Sequence, residues 1–180
     1  VDAMMSLYSD GQYTPTAAAI AERAGVSVRS LFRYFDDVED LAAAVIERQA
    51  SLVYPLLAVD VAADDPVEVR VAQLVDGRVR QYELLAPAAR AARAVAHRRP
   101  LVAAKLAEIN AARREQIRTL FSEELEAMGP HDARRVLGAA DVLCSFETYH
   151  LLREEHGLEP DVLVADLART LLVLLRRDRD

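Results

Sequence analysis

Two arginines four residues apart, Arg29 and Arg33, carry the most specific chemistry in this sequence. At that spacing on a helix they project from one face. Their guanidinium forks suit phosphate oxygens or the O6/N7 edge of guanine. Val28 and Phe32 share the outward side with them, Ser30 and Tyr34 flank it, and Ser27 precedes it. A different chemistry is carried by polar side chains that interrupt otherwise apolar faces. Tyr82, His97, Asn110, Glu147 and His150 are the candidate ligand-pocket residues, since a few placed polar groups orient a small molecule in an apolar pocket. Glu147 and His150 also spell E-x-x-H, which di-iron bundles place on each of two helices, but a second copy is missing. His150 and His156 are six apart and share no helix face. Cys144 is the single cysteine, which excludes an intramolecular disulfide and a Cys-rich zinc site. No Gly-rich phosphate loop, HExxH or G-x-S-x-G occurs. The expectation is no catalytic residue, no metal and no cofactor.

The elements that must hold these residues read as helices throughout. Strand signals are nearly absent, and Gly and Pro punctuate helical patterns. One short helix runs to about Asp10, a second from Thr16 to Ala24 before Gly25, and a third from Ser27 to Phe35. Asp37 reads as the N-cap of a fourth that reaches about Val53, before Pro55. Asp65-Pro66-Val67-Glu68 reads as a capping box opening a helix to about Leu85. Further helices are expected over 86–98, 101–128, 132–156 and from Pro160 to about Arg177. The fold class is therefore all-α with about nine helices. With 52% hydrophobic and 28% charged residues among 180, the chain has the composition of a globular protein. No apolar run approaches the length of a membrane span, and no basic leader precedes the first apolar stretch, so a cytoplasmic location is expected.

Residues 14–35 form a helix-turn-helix. Glycine at position 25 supplies the left-handed turn. Ile20, Ala24, Leu31 and Phe35 are expected to face inward, with Val26 plugging the junction. Ser27 caps the second helix and leaves its first amides available for a phosphate. The run from Ala19-Ile20-Ala21 through Ala24-Gly25-Val26-Ser27 and Leu31-Phe32-Arg33-Tyr34-Phe35 to Leu41 resembles the DNA-binding domain of the TetR family of transcriptional regulators. The resemblance covers residues 1–50 and implies a helix-turn-helix DNA-binding domain there. Residues 51–180 would then form a helical ligand-binding and dimerisation domain. On this reading the DNA-binding residues are Thr16, Ser27, Val28, Arg29, Ser30, Phe32, Arg33 and Tyr34. Two positions depart from the family pattern. Phe32 stands where a phosphate-binding tyrosine is common, and Val38 where a lysine is usual, amid Asp36, Asp37, Glu39 and Asp40. Both predict weaker backbone clamping, and a basic arm upstream of Val1 is expected to supply positive charge.

Charge restricts how the chain meets DNA. The net charge is −7, and residues 1–50 carry 4 basic against 8 acidic side chains, so a few placed cations must do the work of bulk charge. Residues 90–118 are the exception, with 8 basic and 2 acidic, and suggest attraction for an anionic effector such as an acyl thioester or a carboxylate. Two late helices are apolar over much of their circumference, which calls for burial on both sides. Val142, Phe146, Tyr149, Leu163, Leu167, Leu171 and Leu174 are the expected dimer interface, a four-helix arrangement across a twofold axis. The expectation is a homodimeric, ligand-responsive regulator, a repressor of the TetR type, that binds a pseudo-palindromic double-stranded DNA operator and an unidentified small-molecule effector. The alternatives are a helix-turn-helix-derived interaction or sensor protein with weak DNA binding, and a helical-bundle metal enzyme.

Overall fold

The computed structural model describes residues 1–53, 61–62 and 64–176. Pro55 and Arg177, expected at helix ends, lie outside the described residues. Ten α-helices and no strand occur among the described residues: α1 (Asp2–Ser9), α2 (Ala17–Ala24), α3 (Val28–Leu31), α4 (Val38–Val53), α5 (Val67–Ala96), α6 (Pro100–Leu120), α7 (Ser122–Glu126), α8 (Pro130–Leu143), α9 (Phe146–His150) and α10 (Pro160–Leu175). A π-helical turn, Leu151–Glu155, continues α9.

Three boundaries differ from the sequence expectation. Residues 67–96 form one helix with Pro87 inside it, where two helices meeting near residue 85 are expected. Proline removes one backbone donor, and the alanines on either side of it, Ala86, Ala88, Ala89, Ala91 and Ala92, have the highest helix propensity. Conversely, 101–128 breaks at Phe121 and 132–156 breaks at Cys144. At the second break the Ser145 Oγ accepts the Thr148 amide at 3.2 Å and starts α9 afresh. Asp65 does not cap α5 as expected; its carboxylate accepts the Ala62 amide at 2.8 Å.

By packing, the chain divides into two compact units, Val1–Pro55 with Leu85–Ile109, and Leu56–Leu84 with Asn110–Asp180. Residues 85–109 thus pack with the N-terminal helices, which a division at residue 50 does not anticipate.

In the first unit, Met4, Leu7 and Tyr8 of α1 meet Ile20 and Ala21 of α2, Leu31 of α3, Leu41, Ala42 and Val45 of α4, and Ala91. These side chains are nearly all removed from water, each of the larger ones contributing about 1.5–3 kcal/mol. Arg23 locks α2 to α1 through Asp10 at 2.7 Å and Ser6.

The second unit is built around the N-terminal part of α5, the end of α6, and α7–α10. Arg70, buried, spans three of these elements. Its Nη2 meets Glu124 Oε1 at 2.5 Å, its Nη1 donates to the Leu120 carbonyl at the end of α6, and its Nε donates to the Asp65 carbonyl. Tyr82, Phe146 and Tyr149 pack ring to ring with centroids 5.3–5.7 Å apart. No helix among the described residues is long and apolar enough to cross a membrane.

Candidate nucleic-acid interface and cavity

The helix-turn-helix is set by two hydroxyl caps and one glycine. Thr16 Oγ1 accepts the Ala19 amide at 3.2 Å and opens α2. Gly25 ends it at φ 67°, ψ 28°, a left-handed conformation that a side chain would disfavour. Ser27 Oγ then accepts the Ser30 amide at 3.0 Å and opens α3. Ile20 and Leu31 are buried and Phe35 half-buried, as their spacing predicts, and Ala21 is also buried. Ala24 and Val26 are exposed, which corrects their inward assignment. The turn is held instead by backbone bonds, with the Val26 amide donating to the Ala21 carbonyl at 3.0 Å.

The regular α3 is also shorter than the expected 27–35. After Leu31 the chain continues as a turn in which the amides of Arg33 and Tyr34 reach the carbonyls of Ser30 and Leu31. The outward face nevertheless assembles as the sequence predicts. Thr16, Ser27, Val28, Arg29, Phe32, Arg33 and Tyr34 are exposed, and Ser30 is half-buried. Arg33 stacks over the Tyr34 ring with its Cζ 5.0 Å from the centroid, and Arg33 Nη2 donates to the Tyr34 hydroxyl at 2.7 Å. No carboxylate pairs with Arg29 or Arg33 among the described residues. The nearby acids are occupied locally: Asp37 caps the Asp40 amide at 2.8 Å, and Asp40 accepts the Asp36 amide at 3.2 Å.

In the second unit a cavity of about 290 Å³ is lined by residues of α5, α6, α8 and α9. Three of the five pocket candidates, Tyr82, Asn110 and Glu147, line it. His97 does not: it is exposed and belongs to the first unit. His150 does not line it either; its ring stacks on Phe146 with centroids 5.8 Å apart. The remaining wall includes Arg78, Arg113, Ile117 and Cys144. Arg78 was not anticipated, although an arginine aligned with the buried Val71, Leu74 and Val75 is the signal that would have found it.

Arg78 is 2% exposed, and its one hydrogen bond runs from Nη2 to the Arg113 carbonyl at 3.1 Å. Its Nε and Nη1 have no partner among the described residues. Burial lowers its pKa, and the Arg113 charge adds to that effect. Arg113 lies over the Tyr82 ring at 4.9 Å, and the Tyr82 hydroxyl donates to the Cys144 carbonyl at 2.8 Å. Burial pushes the Cys144 thiol up to about 11, so it is neutral at physiological pH. Among the described residues no group of three or more His, Cys, Asp or Glu side chains can hold a metal ion.

The apolar rows of α8–α10 need a correction. Phe146, Tyr149, Leu163, Leu167 and Leu171 are buried within their own chain, and Leu174 is half-buried. Of the expected dimer residues only Val142, 66% exposed, is open to a partner. Periodicity identifies positions that share a face but not whether that face meets the same chain or a second one.

Residues 1–45 match the family model described as bacterial regulatory proteins, tetR family. Two solved structures share the fold over nearly the whole chain. A transcriptional regulator from Rhodococcus sp. Rha1 superposes with a TM-score of 0.69 at 17% identity, over 97% of this chain and 93% of that one. The fatty acid degradation regulator FadR from Bacillus halodurans gives 0.65 at 18% identity, over 99% and 93%. No curated protein matches in sequence. The helix-turn-helix is thus that of bacterial DNA-binding regulatory proteins, and the all-helical remainder shares the fold of two solved regulators. Over residues 1–45 the helix-turn-helix domain is of the tetR type.

Proposed function

We propose that this protein is a homodimeric repressor that binds a pseudo-palindromic operator and releases it on binding a small-molecule effector. The observation that carries this reading is the face of Val28, Arg29, Phe32, Arg33 and Tyr34, exposed together and free of carboxylate partners among the described residues. Two copies of such a face read half-sites one DNA turn apart when a twofold axis relates them. Arg29 is the base-reading candidate, while Arg33, steadied on Tyr34, is suited to a phosphate. Ser27 and Thr16 place helix amides toward the backbone. The dimer forms through the apolar side chains that α8 and α10 leave outward, Ala139, Val142, Val162 and Val173. An effector seated among Tyr82, Asn110 and Glu147 shifts the population toward a form whose recognition helices are badly spaced, and by linkage it weakens operator binding. No cofactor enters this cycle, which runs in the cytoplasm where the DNA is. Selection from random duplexes tests it: enrichment of a two-half-site sequence is expected. Uniform, salt-sensitive binding without enrichment would favour the helix-turn-helix-derived interaction protein instead.

A further inference from the structure

The wall of the second unit's cavity includes a buried guanidinium with two nitrogens unpartnered among the described residues. Arg78 keeps Nε–H and one Nη1 edge unsatisfied in the wall of a 290 Å³ space, and the Arg113 Nε is likewise buried without a partner. An unpaired buried charge is destabilising, so a site that retains one is poised for an opposite charge. Each of these N–H groups is a charge-assisted donor of the kind a carboxylate oxygen accepts from.

Charge counting narrows the ligand further. The lining holds Arg78, Arg113 and Arg114 against Asp141 and Glu147, one positive charge in excess. Arg114 is already taken by Asp141 at 2.7 Å. The neutral Cys144 thiol adds nothing to this balance. A monoanion closes it, whereas a dianion leaves the site one negative charge over.

Size and lining complete the description. The volume sits at the lower end for ligand pockets, too small for a nucleotide-bearing acyl thioester. Tyr82, Ile117 and Val142 offer apolar contact for a compact body beside the charged end. We propose that the cavity between α5, α6, α8 and α9 binds a small organic monocarboxylate, its carboxylate accepting from the Arg78 guanidinium and its apolar body against Tyr82 and Ile117. This deepens the effector reading above and rests on it for its biological role, but not for binding itself.

The test is calorimetric titration of the full chain with acetate, butyrate, hexanoate, octanoate and benzoate. Benzamide serves as the neutral isostere of benzoate, phthalate as a dianion and inorganic phosphate as an anion without an apolar body. At least one monocarboxylate larger than acetate should bind one per chain, and benzoate should bind at least tenfold tighter than benzamide or phthalate. Arg78→Met should weaken that binding at least tenfold while leaving the melting temperature of the free protein equal or higher, because an unpaired buried charge is gone. Asn110→Trp, at an exposed position of the lining, fills the space and should weaken it similarly without touching Arg78. Equal binding of benzoate and benzamide, undiminished binding by Arg78→Met, or no binding by any monocarboxylate would overturn the proposal. Operator affinity measured on the same samples separates the two readings. A carboxylate that binds and leaves operator affinity unchanged supports the site and contradicts effector coupling. Operator binding without carboxylate binding leaves the regulator standing and removes the site.

Discussion

Arg29 and Arg78 are the same residue type in opposite situations. Arg29 is exposed on the proposed recognition face, where water solvates it and no carboxylate among the described residues pairs with it. Arg78 is buried and unpaired, where nothing solvates it. The first was legible in the sequence because i, i+4 spacing after a Gly-Val-Ser turn is a local pattern. The second shows in the sequence only as an arginine in register with Val71, Leu74 and Val75, and its burial depends on which helices pack over it. Cys144 gives a prediction at this scale. Its folded pKa of about 11 lies above the ordinary 9.0, so its contribution is intact below pH 9 and is lost as pH rises from 9 to 11. That loss is on the order of 2–3 kcal/mol, and chemical denaturation of Cys144→Ala across this range should show a shallower decline than wild type.

Among the elements, the caps and turn of the helix-turn-helix followed directly from the sequence, while the Asp65 cap and the helix interruptions did not. Thr16, Gly25 and Ser27 act as their types predict, since a hydroxyl cap and a left-handed glycine are decided within four residues. Ser145 is also a serine cap, but it sits inside a continuous apolar pattern that reads as one helix. Pro87 misleads in the opposite direction, because packing and alanine neighbours keep α5 continuous across it. Gly25→Ala meets no atom within 4 Å, so its cost is purely conformational. It should lower unfolding free energy by about 1–2 kcal/mol, measured by urea denaturation. Arg70 joins α5 to α6 and α7 through Glu124 and the Leu120 carbonyl. Arg70→Ala leaves that carboxylate without its partner in a largely buried setting and should cost about 3–5 kcal/mol in the same measurement.

For the whole molecule, the class of fold was open to sequence reading, but the surface proposed to pair two copies was not. The leucine row 163, 167 and 171 fills the chain's own interior, and the valines at 142 and 173, 66% and 69% exposed, are what remains for a partner. Val142→Asp with Val173→Asp should convert a dimer to a folded monomer by light scattering, with helicity unchanged by circular dichroism. Persistence of the dimer would move the interface elsewhere. The central claim is that the exposed arginine face after Gly25 reads a DNA sequence. The direct measurement is the affinity of wild type and Arg29→Ala for the selected operator and for its single-position variants at one fixed salt concentration. The account predicts a loss of about 1–3 kcal/mol concentrated at one guanine of each half-site. Wild-type affinity in the substituted protein, at every position, would contradict it.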